Sequence, residues 1–163
     1  MKKKQGLRIG LNILAALCLL PLVAVVILLV LPPFFGIRPF TVISGSMQET
    51  IPVGSVVYVK GCEPAELEEG EIVTFYMNYS SPTPTTHRVL ENHVEEKELI
   101  TKGDSNSSED IVPIPYHLVI GKVIFSLPVL GWVSLALSTM LGKAALVILL
   151  LLGFLLKELS ERV

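Results

Sequence analysis

The sequence predicts a small, mainly β domain carried between an N-terminal and a C-terminal transmembrane helix. Three observations support this architecture. Hydrophobic residues make up 51% of the 163 positions and the mean hydropathy is +0.63, which is high for a soluble domain. Most of the apolar residues lie in two long runs near the ends of the chain. The middle contains short segments rich in β-branched and aromatic residues between Gly, Pro and polar breakers, a pattern typical of a small barrel or folded sheet.

The first apolar run covers residues 9–31 and contains no charged residue. At about 1.5 Å per residue, a helix of this length crosses the hydrocarbon core of about 30 Å. Asn12 and Pro21 are both tolerated in a spanning helix. The alternative is a cleaved secretory signal, but the run is long for such a signal and no small-x-small cleavage site follows it closely. We therefore predict an uncleaved transmembrane helix over 9–31.

The second apolar stretch runs from Val123 to Leu156. A spanning helix over 138–157 fits it best, preceded by an interfacial segment over 127–137. Because Pro128 and Gly131 interrupt the beginning of the stretch, we expect a terminal strand or an interfacial segment there rather than a helix.

The orientation of the chain follows from its basic residues. Lys2, Lys3, Lys4 and Arg8 precede the first run, so the positive-inside rule places residues 1–8 in the cytoplasm. The peptide between the two helices, residues 32–126, is then extracytoplasmic, and residues 158–163 return to the cytoplasm. The expected location is the plasma membrane, with the chain crossing it twice.

The charge of the middle domain excludes one class of partner. Between Val42 and Ser126 there are 13 acidic and 5 basic residues, a net charge of −8. A domain this acidic repels phosphate backbones, so nucleic acid is not an expected partner. The lipid bilayer is one, because of the two apolar runs.

Six strands are predicted in the middle domain from β-branched and aromatic content. Breakers separate them, among them the polar, Pro-containing loop over 78–86. The predicted strands are Phe40–Ile43, Ser55–Lys60, Glu71–Tyr76, Arg88–His93, Glu98–Lys102 and Leu118–Phe125.

Three segments, residues 41–47, 85–89 and 101–110, carry side chains suited to nucleophilic catalysis. A serine such as Ser46 is a poor nucleophile and needs an adjacent base. His87 is a suitable base near neutral pH, and an aspartate can fix its tautomer. By spacing alone, the pattern favours a structural role for Ser46 as a turn residue beside Gly45.

The same three segments resemble the ordered sequence boxes of type I signal peptidases. Ser44-Gly45-Ser46-Met47, followed by Ile51-Pro52-Val53-Gly54-Ser55, resembles the nucleophile box. His87-Arg88-Val89 is similar to the second box of the endoplasmic-reticulum and archaeal branch, which some Gram-positive bacteria also carry. Most bacterial members have a lysine in place of this histidine. The stretch from Gly103 to Asp110 resembles the third box of that branch.

The resemblance implies a role for each matching residue. Ser46 would be the nucleophile, His87 the general base, and Asp110 the aspartate that completes the triad, with Asp104 as the alternative. Ser44 would join a backbone N–H in an oxyanion hole. The implied substrate-binding residues are Val42, Ile43, Met47, Ile51, Thr85 and Thr86.

The resemblance also implies the activity and the partners. The chain would be a serine endopeptidase that removes signal peptides from preproteins after small-x-small residues, with no metal and no cofactor. The protein translocation channel is a further candidate partner. The alternative is an inactive homologue that serves as a non-catalytic subunit of a translocation or assembly complex.

One difference from the family's pattern lies directly after the serine. The family usually has Met, an acidic residue, Pro and Thr, whereas this chain has Met47-Gln48-Glu49-Thr50. The missing proline frees the turn and Glu49 adds a charge. We expect this difference to affect fine specificity more than activity.

Aromatic and apolar residues flank the middle domain on both sides. We expect them to seat it in the membrane interface, where aromatic rings are favoured; ordinary packing in the core or beside the spans is the alternative. They are Phe34, Phe35, Ile37, Phe40, Phe125, Leu127, Leu130 and Trp132.

Overall fold

A computed structural model describes residues 2–78 and 83–162 of the chain. They divide into two compact units, which we call the helical unit (residues 2–31 and 134–162) and the β unit (residues 32–133). The elements in chain order are α1 (Lys2–Leu29), β1 (Ile37–Thr41), β2 (Val56–Lys60), β3 (Ile72–Phe75), β4 (Thr85–His93), β5 (Glu98–Lys102), β6 (Ile114–Pro115), β7 (Val119–Leu127), α2 (Leu130–Ser138) and α3 (Met140–Arg162).

The seven strands form one antiparallel sheet, curled into a half-barrel, with the order β1-β2-β7-β3-β4-β5-β6. Strand β7 pairs with β2 on one side and with β3 on the other. It therefore joins the β1–β2 pair to the four-stranded group β3–β6. The predicted mainly β domain with helices at both ends of the chain is confirmed.

The core of the β unit consists of two clusters of buried side chains. One lies against strands β3 to β6 and includes Phe75, Val89 and Leu99. The other packs Met47 and Ile51 against strand β2. Strand β2 (VVYVK) is buried at four of its five positions. Its continuous run of apolar residues is typical of a strand that is covered on both faces.

The structure differs most from the predicted elements in four places. Strand β1 (Ile37–Thr41) begins three residues before its predicted range, Phe40–Ile43, and ends two residues before the end of that range. Strand β4 begins at Thr85, three residues before its predicted start, because residues 85–88 pair with β3; the predicted loop over 78–86 is therefore shorter, and residues 79–82 lie outside the described residues. The two-residue strand β6 was not predicted. The chain is helical from Leu130, so the prediction that helix is absent around Gly131 was wrong.

The reason for the early start of α2 lies in the position of its two breakers. Pro128 precedes the helix, where a proline interrupts no helical hydrogen bond. The backbone N–H of Gly131, in the first helical turn, donates to the carbonyl of Gly54 at 2.9 Å. Gly131 therefore allows α2 to lie close to Gly54, and it does not end a helix.

The helical unit consists mainly of α1 and α3, both long and apolar enough to cross a membrane by length and composition. They run antiparallel, because Ser160 contacts Asn12 while Gly153 lies against Leu19. A Cβ atom at position 153 would be 2.6 Å from Leu19 Cδ2. Small residues allow helices to approach this closely in membranes.

A polar contact connects the same two helices. The buried Ser160 hydroxyl lies 2.8 Å from Asn12 Oδ1 and 3.2 Å from the carbonyl oxygen of Arg8. Asn12 thus has a hydrogen-bonding partner inside the helix pair, which removes most of the cost of placing an amide among apolar residues. Helix α1 begins before the predicted span 9–31 but ends at Leu29, and α3 begins at Met140, inside the predicted span 138–157, but ends beyond it. The domain boundaries themselves stay a prediction.

Candidate active site

Ser46 lies on a loop of residues 43–53 that leaves the sheet at the end of β1 and returns at the start of β2. Val42 and Ser55 close the base of this loop: the Val42 N–H donates to the Ser55 carbonyl at 2.9 Å, and the Gly54 N–H donates to the Val42 carbonyl at 2.8 Å. We call these three residues the neck of the serine loop. They continue the β1–β2 ladder and so fix where the loop begins.

The neck is covered from outside by the beginning of α2. Gly54 has φ +84°, and the Trp132 indole lies where a Cβ atom would be. A Cβ atom at Gly131 would be 2.7 Å from the Gly54 and Ser55 carbonyl oxygens. Two glycines are therefore needed here, because only their lack of a side chain lets the two backbones approach so closely.

The serine loop is anchored to the core by two apolar side chains. Met47 and Ile51 are each only 2% exposed, and the Ile51 N–H donates to the Met47 carbonyl at 2.6 Å. Ser46, next to Met47, remains partly exposed. Burial of its neighbour thus holds Ser46 at the surface of a cleft.

The segment after β5 packs directly on Ser46. The Ser105 N–H donates to the Ser46 carbonyl at 2.8 Å. A Cβ atom at Gly103 would be 2.7 Å from the Ser46 carbonyl oxygen and 2.9 Å from Ser46 Cβ. The Asp104 N–H points to the Met47 sulfur at 3.3 Å. The first and third predicted boxes are therefore in contact.

His87 and Asp110 form a nearly buried pair. His87 Nδ1 is 2.6 Å from Asp110 Oδ2, and their side chains are 8% and 11% exposed. The imidazole ring also makes an edge contact with Phe75, with 6.0 Å between ring centroids. Residue Thr101, which is 1% exposed, donates its hydroxyl hydrogen to the same Asp110 Oδ2 at 2.6 Å.

Asp104 contacts Arg88 and not His87. Arg88 donates to the carboxylate from two nitrogens, Nε at 2.8 Å and Nη2 at 2.6 Å, the strong two-pronged geometry. The Thr50 hydroxyl donates to the same carboxylate. Hydrogen bonding to Arg88 lowers the pKa of Asp104, an effect opposed by partial burial, and Asp104 in turn raises the pKa of Arg88.

A cleft of about 300 Å³ opens beside Ser46. It contains Ser44, Ser46 and all six residues predicted to bind substrate. Met47 and Ile51 form its buried floor, whereas Ile43 is exposed. Its described lining residues are Phe40, Thr41, Val42, Ile43, Ser44, Ser46, Met47, Ile51, Val57, Thr83, Pro84, Thr85 and Thr86.

Of the predicted residues, Ser46 and Ser44 line the cleft, and His87 follows the cleft residue Thr86 on β4. Asp110 is hydrogen-bonded to His87, whereas Asp104 is hydrogen-bonded to Arg88. Glu49, the departure from the family's pattern, is exposed. The roles assigned to these residues stay predictions.

Sequence reasoning assigned no role to four residues that contact the predicted site residues. Thr101 touches Asp110, Gly103 touches Ser46, and Arg88 with Thr50 binds Asp104. These four residues lie inside or beside the predicted boxes, but their contacts become visible only in the folded structure. Among the described residues, no group of three or more His, Cys, Asp or Glu side chains is arranged to hold a metal ion.

Comparison with known proteins gives relatives of one kind, although no family model matches. The chain is 34% identical over 86 residues to signal peptidase I W of Bacillus subtilis, covering 51% of this chain and 44% of that protein. It is 33% identical over 107 residues to the signal peptidase complex catalytic subunit SEC11 of Candida tropicalis, covering 60% and 63%. It is 30% identical over 126 residues to the corresponding subunit sec11 of Neurospora crassa, covering 67% and 73%. The matched region spans less than two thirds of the first two relatives.

Proposed function

Because this chain belongs to the type I signal peptidase family, we propose that it is a serine endopeptidase that removes N-terminal signal peptides. The observation that carries the proposal is the nearly buried His87–Asp110 pair, in which His87 directly follows Thr86, a residue that lines the same cleft as Ser46. If Ser46 were only a structural turn residue, nothing would require a histidine and a carboxylate to be buried together nearby in the fold. Burying polar groups is costly unless they form hydrogen bonds with each other.

In the proposed reaction, Asp110 orients His87, and His87 transfers the proton. Asp110 accepts a hydrogen bond from His87 Nδ1, which leaves Nε2 free to accept the proton of the Ser46 hydroxyl. Ser46 Oγ then attacks the carbonyl carbon of the scissile peptide bond. The Ser44 hydroxyl and the backbone N–H of Ser46 hold the resulting oxyanion.

The second half of the reaction reverses the proton transfer. The imidazolium of His87 protonates the leaving amine, so that the mature protein departs and the signal peptide remains as an ester on Ser46. Water, deprotonated by His87, hydrolyses this ester and restores the free serine. Asp110 remains ionised and stabilises the imidazolium in both halves.

The substrate would bind as an extended strand beside residues 42–46. Strand β1 lies at an edge of the sheet, and a peptide can add to such an edge through its main chain. The cleft beside it is small, and its floor is closed by Met47 and Ile51. A cleft of this size favours small side chains, which supports cleavage after small-x-small residues.

The proposed setting is the outer face of the plasma membrane. Helices α1 and α3 would span it, and the contact of Ser160 with Asn12 and Arg8 supports both chain ends on one side. Four of the eight flanking residues predicted to seat the domain are exposed: Phe34, Phe35, Phe125 and Trp132. Phe40 instead packs partly against the core. Preproteins and the bilayer are the proposed partners, with the translocation channel as a further one.

The test is cleavage of a preprotein with a small-x-small site by the detergent-purified chain. Ser46→Ala and His87→Ala should abolish cleavage while circular dichroism shows that both variants are folded. His87→Ala should unfold at a lower temperature than the parent, because it leaves the buried Asp110 without its partner. His93→Ala is the matched control, because His93 lies on the exposed β4–β5 hairpin and pairs with Glu91; it should cleave at the parental rate. Asp110→Asn should lower kcat far more than Asp104→Asn.

Two outcomes would contradict the proposal. Cleavage that survives Ser46→Ala would exclude Ser46 as the nucleophile. A parent chain that binds the preprotein without cleaving it, even when reconstituted in lipid, would favour the inactive subunit instead.

A further inference from the structure

The carboxylate behind His87 is held by a residue to which no role has been given. Thr101 lies on β5, opposite Val89 on β4, and is 1% exposed. Its carbonyl accepts a hydrogen bond from the Asp110 N–H at 2.8 Å. Its hydroxyl donates to Asp110 Oδ2 at 2.6 Å. Thr101 therefore binds both the backbone and the side chain of Asp110.

We propose that Thr101 is a positioning residue that fixes the Asp110 carboxylate, and through it the tautomer of His87. This inference rests on the proposed function, in which Asp110 orients the general base. Thr101 itself does not contact substrate. Its effect on the reaction passes through Asp110.

The geometry around Thr101 explains how it can fix the direction of the Asp110 carboxylate. The carboxylate torsion of an aspartate is broad, so a single hydrogen bond leaves its oxygens free to turn. Two donors on one oxygen, the Thr101 hydroxyl and His87 Nδ1, define its direction. The threonine hydroxyl is itself well placed, because a β-branched side chain has few χ1 rotamers. The backbone of Thr101 is also held on two sides, by pairing with Val89 of β4 and by the hydrogen bond from the Asp110 N–H.

The same arrangement selects one tautomer of the imidazole. An ionised carboxylate only accepts hydrogen bonds, so a neutral His87 must carry its proton on Nδ1 to satisfy Asp110 Oδ2 at 2.6 Å. Its Nε2 is then the acceptor that Ser46 needs. If the carboxylate turns away, the tautomer with the proton on Nε2 becomes available, and it cannot act as the base.

A merely structural role for Thr101 makes a different prediction. A buried hydroxyl needs a partner in any case, and Asp110 supplies one. In that reading, loss of the hydroxyl would lower stability but leave the tautomer of His87 and kcat unchanged. Measuring kcat and the tautomer of His87 together with stability therefore distinguishes the positioning role of Thr101 from a merely structural one.

The experiment compares the parent with Thr101→Val and Thr101→Ser in the full-length, detergent-purified chain. Valine keeps the shape and removes the hydroxyl, so kcat should fall about 10- to 100-fold, the range expected for a hydrogen bond to a charged group, while KM stays within about 2-fold. Serine keeps the hydroxyl and should retain kcat within about 3-fold. The Ala and Ser variants differ by one oxygen atom and give the same comparison if the valine variant does not fold.

The second measurement is 15N NMR of the imidazole nitrogens, with His87 assigned by comparison with His87→Ala. In the parent and the serine variant, neutral His87 should carry its proton on Nδ1; in the valine variant, a mixture of both tautomers should be present. This readout needs no substrate, so it decides the role of Thr101 even if the parent cleaves nothing and the proposed function fails. A parental tautomer in Thr101→Val or Thr101→Ala would overturn the inference, as would an unchanged kcat in the active enzyme.

Discussion

Gly103 is packed so closely against Ser46 that a methyl group at this position must displace the serine loop. The added Cβ atom would lie 2.7 Å from the Ser46 carbonyl oxygen and 2.9 Å from Ser46 Cβ. Ordinary contacts begin at 3.4 Å, so the loop must move by about 0.7 Å. The third close atom, Asn106 Nδ2 at 2.8 Å, ends a side chain and can turn aside.

The displacement converts into an expected loss of rate. A shift of about 1 Å in a reacting group can cost about 100-fold, so about 0.7 Å predicts a loss of about 30-fold in kcat for Gly103→Ala. That factor corresponds to about 2 kcal/mol of transition-state stabilisation. Gly103 lies outside the left-handed region of φ, so the substitution brings no backbone strain of its own.

The assay is the same preprotein cleavage, with kcat and KM determined separately for the parent and Gly103→Ala. Gly61→Ala is the matched control, since a Cβ atom there meets nothing within 4 Å and Gly61 also has no left-handed φ. It should retain the parental kcat. If Gly103→Ala is folded and cleaves as fast as Gly61→Ala, the contact between Gly103 and the serine loop does not position Ser46.

Two further predictions concern stability. Because Arg88 lowers the pKa of Asp104, the pair stabilises the fold fully above the ordinary carboxyl pKa, and this contribution is lost as the pH falls through the lowered value. Asp104→Asn should therefore cost about 2 kcal/mol at pH 7, between the values for exposed and buried pairs, and progressively less as the pH falls below the ordinary carboxyl pKa. A difference in thermal unfolding that stays constant over this acidic range would exclude this ion pair. In the helical unit, Gly153→Leu should destabilise the α1–α3 pair by about 1–3 kcal/mol through its contact with Leu19, and Ser160→Ala should destabilise it by only about 0.6 kcal/mol. Detergent-induced unfolding should therefore show the larger loss of stability for Gly153→Leu. The reverse order would mean that the polar contact dominates the helix pair.

The sequence predicted the sheet well where its strands are rich in β-branched residues, as in Glu98–Lys102, whose predicted bounds match β5. It failed where a contact distant in sequence decides the structure. Strand β6 is two residues long and includes a proline, so no pattern marks it. Helix α2 contains Gly131 because that glycine faces Gly54, a partner that no local pattern can reveal.

The same reason limits prediction of the site. Ser46 and His87 are recognisable because they occupy ordered boxes. The choice between Asp104 and Asp110 as the residue behind His87 depended on where Arg88 points, which follows from the register of β4 and not from spacing. The hydroxyl of Thr101 reaches Asp110 because the chain turns back after β5.

Strand β7 has a consequence for when the two parts of the proposed active site come together during synthesis. The serine loop leaves the β1–β2 pair, while His87 and Asp110 belong to the group from β3 to β6, and among the described strands β7 alone bonds to both groups. Since β7 ends at Leu127, Ser46 and His87 belong to one sheet only after residue 127 has been made. In the proposed enzyme, these two residues could therefore act together only once β7 has joined the two groups of strands.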